Sequence, residues 1–265
     1  MSGARAQRAA IEVRGVGMQF HKPEGGLYTA LEGISFDVRE GEFLSVVGPS
    51  GCGKSTLLSI LGGLTEATQG AVHIQGRPVR GPLPGQVAMV FQEANLLPWK
   101  TAQKNVEFPL EFQGVPAGER GKRAREMLSL VGLSEHASNL PHQLSGGMRQ
   151  RVSIARGLAQ HPGVILMDEP FGALDEQART RIGHELLDIW DKTRKTVVFI
   201  THGLSEALYL SDRILVMGTR PGRIIAEIEV PFARPRPYEI MGSEAFGELR
   251  NRLWKLLGVD TEQHP

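Results

Sequence analysis

The chain has 265 residues, 30 Lys and Arg against 29 Asp and Glu, a formal net charge of +1 and one cysteine. That length suits one large domain or a domain with an inserted subdomain, the balanced charge speaks against a general nucleic-acid surface, and a lone Cys52 excludes an internal disulfide, as suits a reducing compartment. No secretory signal is expected, because Met1–Ala10 has two arginines and no apolar run behind them, and no segment approaches the roughly 20 apolar residues that span a bilayer. The chain is expected to be soluble, so work at a membrane would need a partner to supply the membrane part.

In chain order, Ile34–Val38 alternates apolar and polar residues as a half-buried strand does. Phe43–Val47 is a short apolar run that ends in a Gly-rich turn, and Lys54–Leu61 follows with helical spacing. Val87–Phe91 is another continuous apolar run. From about Asn95 to Ala159 the pattern is helical, with no strand expected. Glu119–Val131 is charged and periodic there, and Val152, Ile154, Ala155 and Leu158 give Met148–Ala159 a partly apolar face. Val164–Met167 and Val197–Ile200 are further apolar runs, alternating with helical stretches at Asp175–Lys192 and Leu204–Leu210. Strands buried on both faces of a parallel sheet read this way, so an α/β layered core with a helical insertion is expected. Ala233–Pro237, rich in Pro and Arg, should be extended. Ala245–Leu257 reads as a short amphipathic helix, with Phe246, Leu249, Leu253, Leu256 and Leu257 on one side.

Gly48-Pro49-Ser50-Gly51-Cys52-Gly53-Lys54-Ser55 fits G-x-x-x-x-G-K-[ST] between a strand and a helix. Glycines let backbone N–H groups turn in on phosphate oxygens, and the helix points its positive end at the same anion. Lys54 adds a cation at the β and γ phosphates, and the Ser55 hydroxyl is placed to ligate Mg²⁺. Cys52 admits a redox reading at a helix start, but the simpler reading is a small residue filling the loop. Val164–Met167 runs into Asp168 and Glu169, which brings a carboxylate to the sheet edge for Mg²⁺ and a second one to polarise water. Two acids there could also cap the next helix. Gln92 and His202 likewise end apolar runs, at the edge where open α/β sheets gather ligands. His202 could hydrogen-bond a γ-phosphate, although a lone His is usually structural or exposed. Leu144-Ser145-Gly146-Gly147-Met148 is a second anion-binding device before a helix, and one nucleotide does not need two from one chain. The second loop is therefore expected to serve a nucleotide held by another copy, the plain alternative being a helix start capped by Ser145.

With these motifs in this order, nearly the whole chain closely resembles the ATP-binding subunits of ABC transporters. Gly48–Ser55 resembles the Walker A loop, Gln92 the Q-loop, Leu144–Met148 the signature, Val164–Glu169 Walker B, Ala173-Leu174-Asp175 the D-loop and His202 the switch histidine. Met148 departs from the family's commonest signature, which has Gln. The resemblance implies a P-loop NTPase (RecA-like) α/β core with an antiparallel β subdomain and an inserted α-helical subdomain. It divides the chain into 1–93 with 162–230 as the ATP-binding core, 94–161 as the helical subdomain and 231–265 as a C-terminal extension. It implies ATP and Mg²⁺ as cofactors, with Gly48 to Thr56, Ser145, Gly146, Gly147 and Asp175 around the nucleotide and Phe20, or less well Tyr28, stacked on adenine. Glu169, His202, Gln92 and Lys54 would carry the chemistry, and Ser55, Gln92 and Asp168 the metal.

Asn95-Leu96-Leu97-Pro98-Trp99, the signature with Met, Arg220-Pro221-Gly222-Arg223-Ile224 and Arg234-Pro235-Arg236-Pro237 are similar to the branch that energises import of nitrate, alkanesulfonates, taurine and related small anions. The implied partners are a second copy, permease subunits docked through Leu97, Pro98 and Trp99, and indirectly an extracytoplasmic substrate-binding protein, with no nucleic acid. The implied place is the cytoplasmic face of the inner membrane. A non-transport ABC-type ATPase, another transporter branch and an unrelated P-loop kinase or GTPase are the rivals.

Overall fold

The computed structural model describes residues 9–262 apart from positions 173 and 175. In chain order the strands are β1 (Ala9–His21), β2 (Leu27–Arg39), β3 (Phe43–Val47), β4 (Gln69–Ile74), β5 (Arg77–Pro78), β6 (Val87–Val90), β7 (Val164–Asp168), β8 (Thr196–Ile200), β9 (Arg213–Gly218) and β10 (Arg223–Glu229). The helices are α1 (Lys54–Leu61), α2 (Ala102–Phe112), α3 (Ala117–Leu130), α4 (Gly146–Ala159), α5 (Glu176–Thr193), α6 (Leu204–Leu210) and α7 (Glu244–Glu262). They fall into two compact units, 1–83 with 195–265, and 84–194.

In the first unit β2, β1, β4 and β5 form an antiparallel sheet, while β10, β9, β3 and β8 lie side by side in that order. β3 pairs in parallel with both β8 and β9. Every residue of these three strands is buried, which is why they read as unbroken apolar runs. β1 is harder to read. Its ladder with β2 shifts register between Val13 and Val16, around Gly15 at φ +59°, so the apolar period is broken by a bulge. Periodicity alone reveals neither β1 nor the shorter β4 and β5.

The second unit pairs β6 with β7 in parallel and packs α4 on β6. α2, α3 and α4 pack on one another and account for the helical pattern between Asn95 and Ala159. The terminal helix begins one residue before the expected Ala245 and runs five residues past Leu257. Phe246 and Leu253 form its buried face, while Leu249, Leu256 and Leu257 are half-buried.

Candidate active site

In the first unit, Val46 of β3 faces Ile200 of β8 in parallel register. Gly48 and His202 each lie two residues beyond that pair, so the phosphate loop and the histidine leave the sheet at the same edge. Gly51 and Gly53 adopt φ +79° and +93°, values an L side chain resists. A Cβ on Gly53 would also lie 2.6 Å from Leu31 Cδ2. Gly53 is the N-cap of α1 and has no side chain to accept the first-turn N–H groups, which stay directed at the loop's concavity. The Lys54 amine, 7% exposed, donates to the carbonyls of Gly48 at 2.8 Å and Pro49 at 3.1 Å. Ser50 and Ser55 are exposed and Thr56 is half-buried.

Cys52 is a packing residue. Its thiol is buried, a Cβ on Gly48 would lie 2.7 Å from Sγ, and burial pushes the thiol pKa up against the pull of Lys54. A neutral enclosed thiol is a poor nucleophile, so the redox reading falls. Behind the loop stands Gly222, which sequence reasoning quoted only for its similarity. Its N–H donates to Ala30 O and its carbonyl accepts from Glu32 N, both at 3.0 Å. A Cβ there would lie 2.1 Å from the carbonyl oxygen of Cys52. The turn between β9 and β10 therefore backs the phosphate loop with bare backbone. Phe20 and Tyr28 face each other as register partners on β1 and β2, 41% and 44% exposed. Directly opposed residues share one sheet face, so the two aromatics form one patch rather than two separate candidates.

His202 is exposed at the start of α6. The Thr201 hydroxyl accepts from Gly203 N at 2.9 Å and donates to the Glu206 carboxylate, which pins the loop that carries the imidazole.

In the second unit, Val90 of β6 faces Met167 of β7, and Gln92 and Glu169 again lie two residues beyond the pair. Glu169 holds φ +42°, and its carbonyl accepts from Gly172 N at 2.9 Å. A Cβ on Gly172 would lie 2.9 Å from Gln92 Nε2 and 3.3 Å from Glu169 O, so Gln92 rests on the turn that follows the two acids. Asp168 is half-buried at the end of β7. Asp175 lies outside the described residues.

α4 starts at Ser145, whose Oγ accepts from Met148 N at 3.2 Å. Ser145 and Gly146 are exposed, and Met148 is half-buried. The same helix reaches the strand end beside Gln92. Gln150 Nε2 donates to Phe91 O at 3.1 Å, and Arg156 donates to Ala94 O at 2.7 Å and Asn95 O at 2.8 Å. Burial pushes the Arg156 pKa down, and those two carbonyls accept its hydrogen bonds. Fully buried Asn105 organises the next loop. It accepts from Leu97 N at 2.7 Å and donates to the carbonyls of Leu97, Lys100 and Thr101. With that loop fixed, Trp99 is 73% exposed and not packed inside the helices; Pro98 is exposed and Leu97 half-buried. Gln150, Arg156 and Asn105 were missed because a polar residue on a charged helix gives no sign of which distant carbonyl it meets.

Residues 31–172 match the family model described as ABC transporter. An uncharacterised ABC transporter ATP-binding protein of Methanocaldococcus jannaschii is 48% identical, covering 88% of this chain and 86% of that protein. A taurine import ATP-binding protein of Rhizobium johnstonii is 47% identical over 86% and 88% of the two chains. A nitrate import ATP-binding protein of Synechococcus elongatus is 43% identical over 89% and 86%. A solved ATP-binding cassette in a dimeric post-hydrolysis state bound to ADP and Pi superposes with a TM-score of 0.73 at 35% identity, covering 84% of this chain and all of the other. The nucleotide-type loop, the acids beyond β7, the signature turn and these relatives agree: the chain belongs to the ABC transporter family and is an ATP-binding, ATP-hydrolysing subunit of that family.

Proposed function

We propose that two copies close head to tail around two ATP molecules and drive a membrane permease that imports a small anion such as nitrate, a sulfonate or taurine. The observation that carries this reading is the presence of two anion-binding loops in one chain. One follows β3 with a buried lysine, and the other is the exposed, self-capped turn at Ser145. Lys54 and the backbone of Gly51 and Gly53 hold the phosphates of one ATP. Ser145, Gly146 and Gly147 of the other copy complete the cage, with Asp175 beside it. Glu169 takes the proton of the attacking water, and His202 holds the γ-phosphate and water in line. Gln92 senses the γ-phosphate and passes closure to the permease through the loop at Leu97, Pro98 and Trp99. A large exposed aromatic there suits an interface anchor. Phe20, with Tyr28 opposite, stacks on adenine.

The donor set fits Mg²⁺. Ser55 and Asp168 offer hard oxygens, Gln92 a carbonyl oxygen, and Mg²⁺ needs only one or two protein ligands beside phosphates and water. When bound, the ion neutralises charge on the β and γ oxygens. No helix among the described residues is long and apolar enough to cross a membrane. By its likeness to the taurine and nitrate import ATP-binding proteins, the proposed subunit sits peripherally on the cytoplasmic face, below the permease and a binding protein outside. Residues 94–161 act as the arm that carries the signature, on a core of 1–93 and 162–230.

Glu169→Gln tests the chemistry. ATP binding should persist, hydrolysis should fall about 10² to 10⁴-fold as befits loss of a general base, and light scattering should show an ATP-dependent dimer. Normal turnover would remove Glu169 from its role, and a monomer in saturating ATP would remove the dimer.

A further inference from the structure

The segment beyond β10 closes on α6 from both ends. Arg236, 4% exposed, donates from Nη1 to the carbonyls of Leu208 at 3.2 Å and Tyr209 at 2.9 Å. Arg234 donates from Nη2 to Leu210 O and from Nε to Asp212 Oδ1 at 2.7 Å. Leu208, Tyr209 and Leu210 form the last turn of α6, where carbonyls lack helical partners and cations are favoured. Both guanidiniums thus cap that end, and the Tyr209 hydroxyl donates back to Arg236 O at 3.2 Å.

The chain then turns and lays α7 against α6 and β9. Phe232 stacks on Phe246 at 5.7 Å, and the Tyr238 ring meets Tyr209 edge-on at 6.5 Å. Ser243 Oγ accepts from Phe246 N at 3.3 Å and caps the start of α7. At the other end of α6, His202, Leu204 and Ser205 share one groove with Arg250, Asn251 and Trp254 of α7. α6 has 7 residues, so it is about 10 Å long at 1.5 Å per residue. The capped end of α6 thus lies about one short helix, on the order of 10 Å, from the loop that carries His202.

We propose that residues 231–262 are a positioning strap for His202: Arg234 and Arg236 fix the far end of α6, and α7 walls the groove in which the imidazole stands. This rests on the reading of His202 as the group that holds the γ-phosphate in line. The strap touches no nucleotide in this account, so Arg236 and Trp254 are positioning residues. A small displacement of a reacting group is enough to lower turnover without weakening binding of the ground state.

The test compares Arg236→Ala, Arg236→Lys and Trp254→Ala in the full chain, each alone and with His202→Ala, by kcat and KM for ATP and by thermal midpoint. Arg236→Ala should lower kcat about tenfold with KM within about twofold, since only alignment is lost. Arg236→Lys should restore part of it by keeping the charge at the helix end. Trp254 is 70% exposed, so Trp254→Ala should leave the thermal midpoint in place and lower kcat about threefold. In the His202→Ala background none of them should lower the residual kcat further. Wild-type kcat in Arg236→Lys and Trp254→Ala, or losses that multiply in that background, would overturn the strap even if Arg236→Ala fails to fold. If His202→Ala itself keeps normal turnover, the reading of His202 fails. If it is inactive while the strap variants are normal, the strap alone fails.

Discussion

Two helices of this chain begin on glycine-rich loops, and their first turns are built in opposite ways. α1 starts from left-handed Gly53, which offers its N–H groups no side-chain acceptor, beside a lysine that is 7% exposed. Gly222 closes the back of that loop so tightly that a Cβ would meet Cys52 O at 2.1 Å. α4 starts from Ser145, whose own hydroxyl takes the Met148 N–H, and Ser145 and Gly146 stand exposed at the surface. One loop is a socket around a buried lysine; the other is capped in part by its own serine and presents an exposed face. A socket and a face on one chain make sense if the face of one copy covers the socket of another.

Lys54→Ala should make the largest change on the socket side. Loss of a charge-assisted bond worth roughly 1.5–3 kcal/mol predicts ATP affinity weaker by about 10 to 150-fold by calorimetry. Unchanged affinity would break the contrast between the loops. Gly222→Ala should come next. Its Cβ cannot fit beside Cys52 O without moving the loop backbone, so chemical denaturation should show about 1–3 kcal/mol of lost stability together with weaker ATP binding. A stable variant with normal affinity would show that the loop needs no backing. The smallest effect on ATP binding is expected from Asn105→Ala in the second unit. Losing its bonds to Leu97, Lys100 and Thr101 should cost about 1–3 kcal/mol locally. ATP binding should survive, while recovery of the permease in co-purification falls. Full recovery would show that the Trp99 loop does not need its buried tether.

Apolar runs and local loops were legible in the sequence because a buried parallel strand and a phosphate loop are each written in consecutive residues. Phe43–Val47 and Leu204–Leu210 match β3 and α6 residue for residue. What joins distant positions was not legible. Gly222 behind Cys52, Arg156 on Ala94 and Asn95, and Arg236 on Leu208 and Tyr209 pair residues whose meeting depends on the whole fold. β1 was hidden for a local reason, since the bulge at Gly15 breaks the alternation that marks a strand.

The shared site is tested most directly by mixing two defective chains. Lys54→Ala spoils the socket and Ser145→Glu puts a negative charge on the face, so each chain alone should hydrolyse almost no ATP. In an equal mixture about half the dimers pair one of each, and each such dimer holds one intact socket under one intact face. The mixture should recover up to about a quarter of wild-type activity at the same total concentration. A mixture no more active than the average of its two components would contradict a shared site and place the whole ATP site within a single chain.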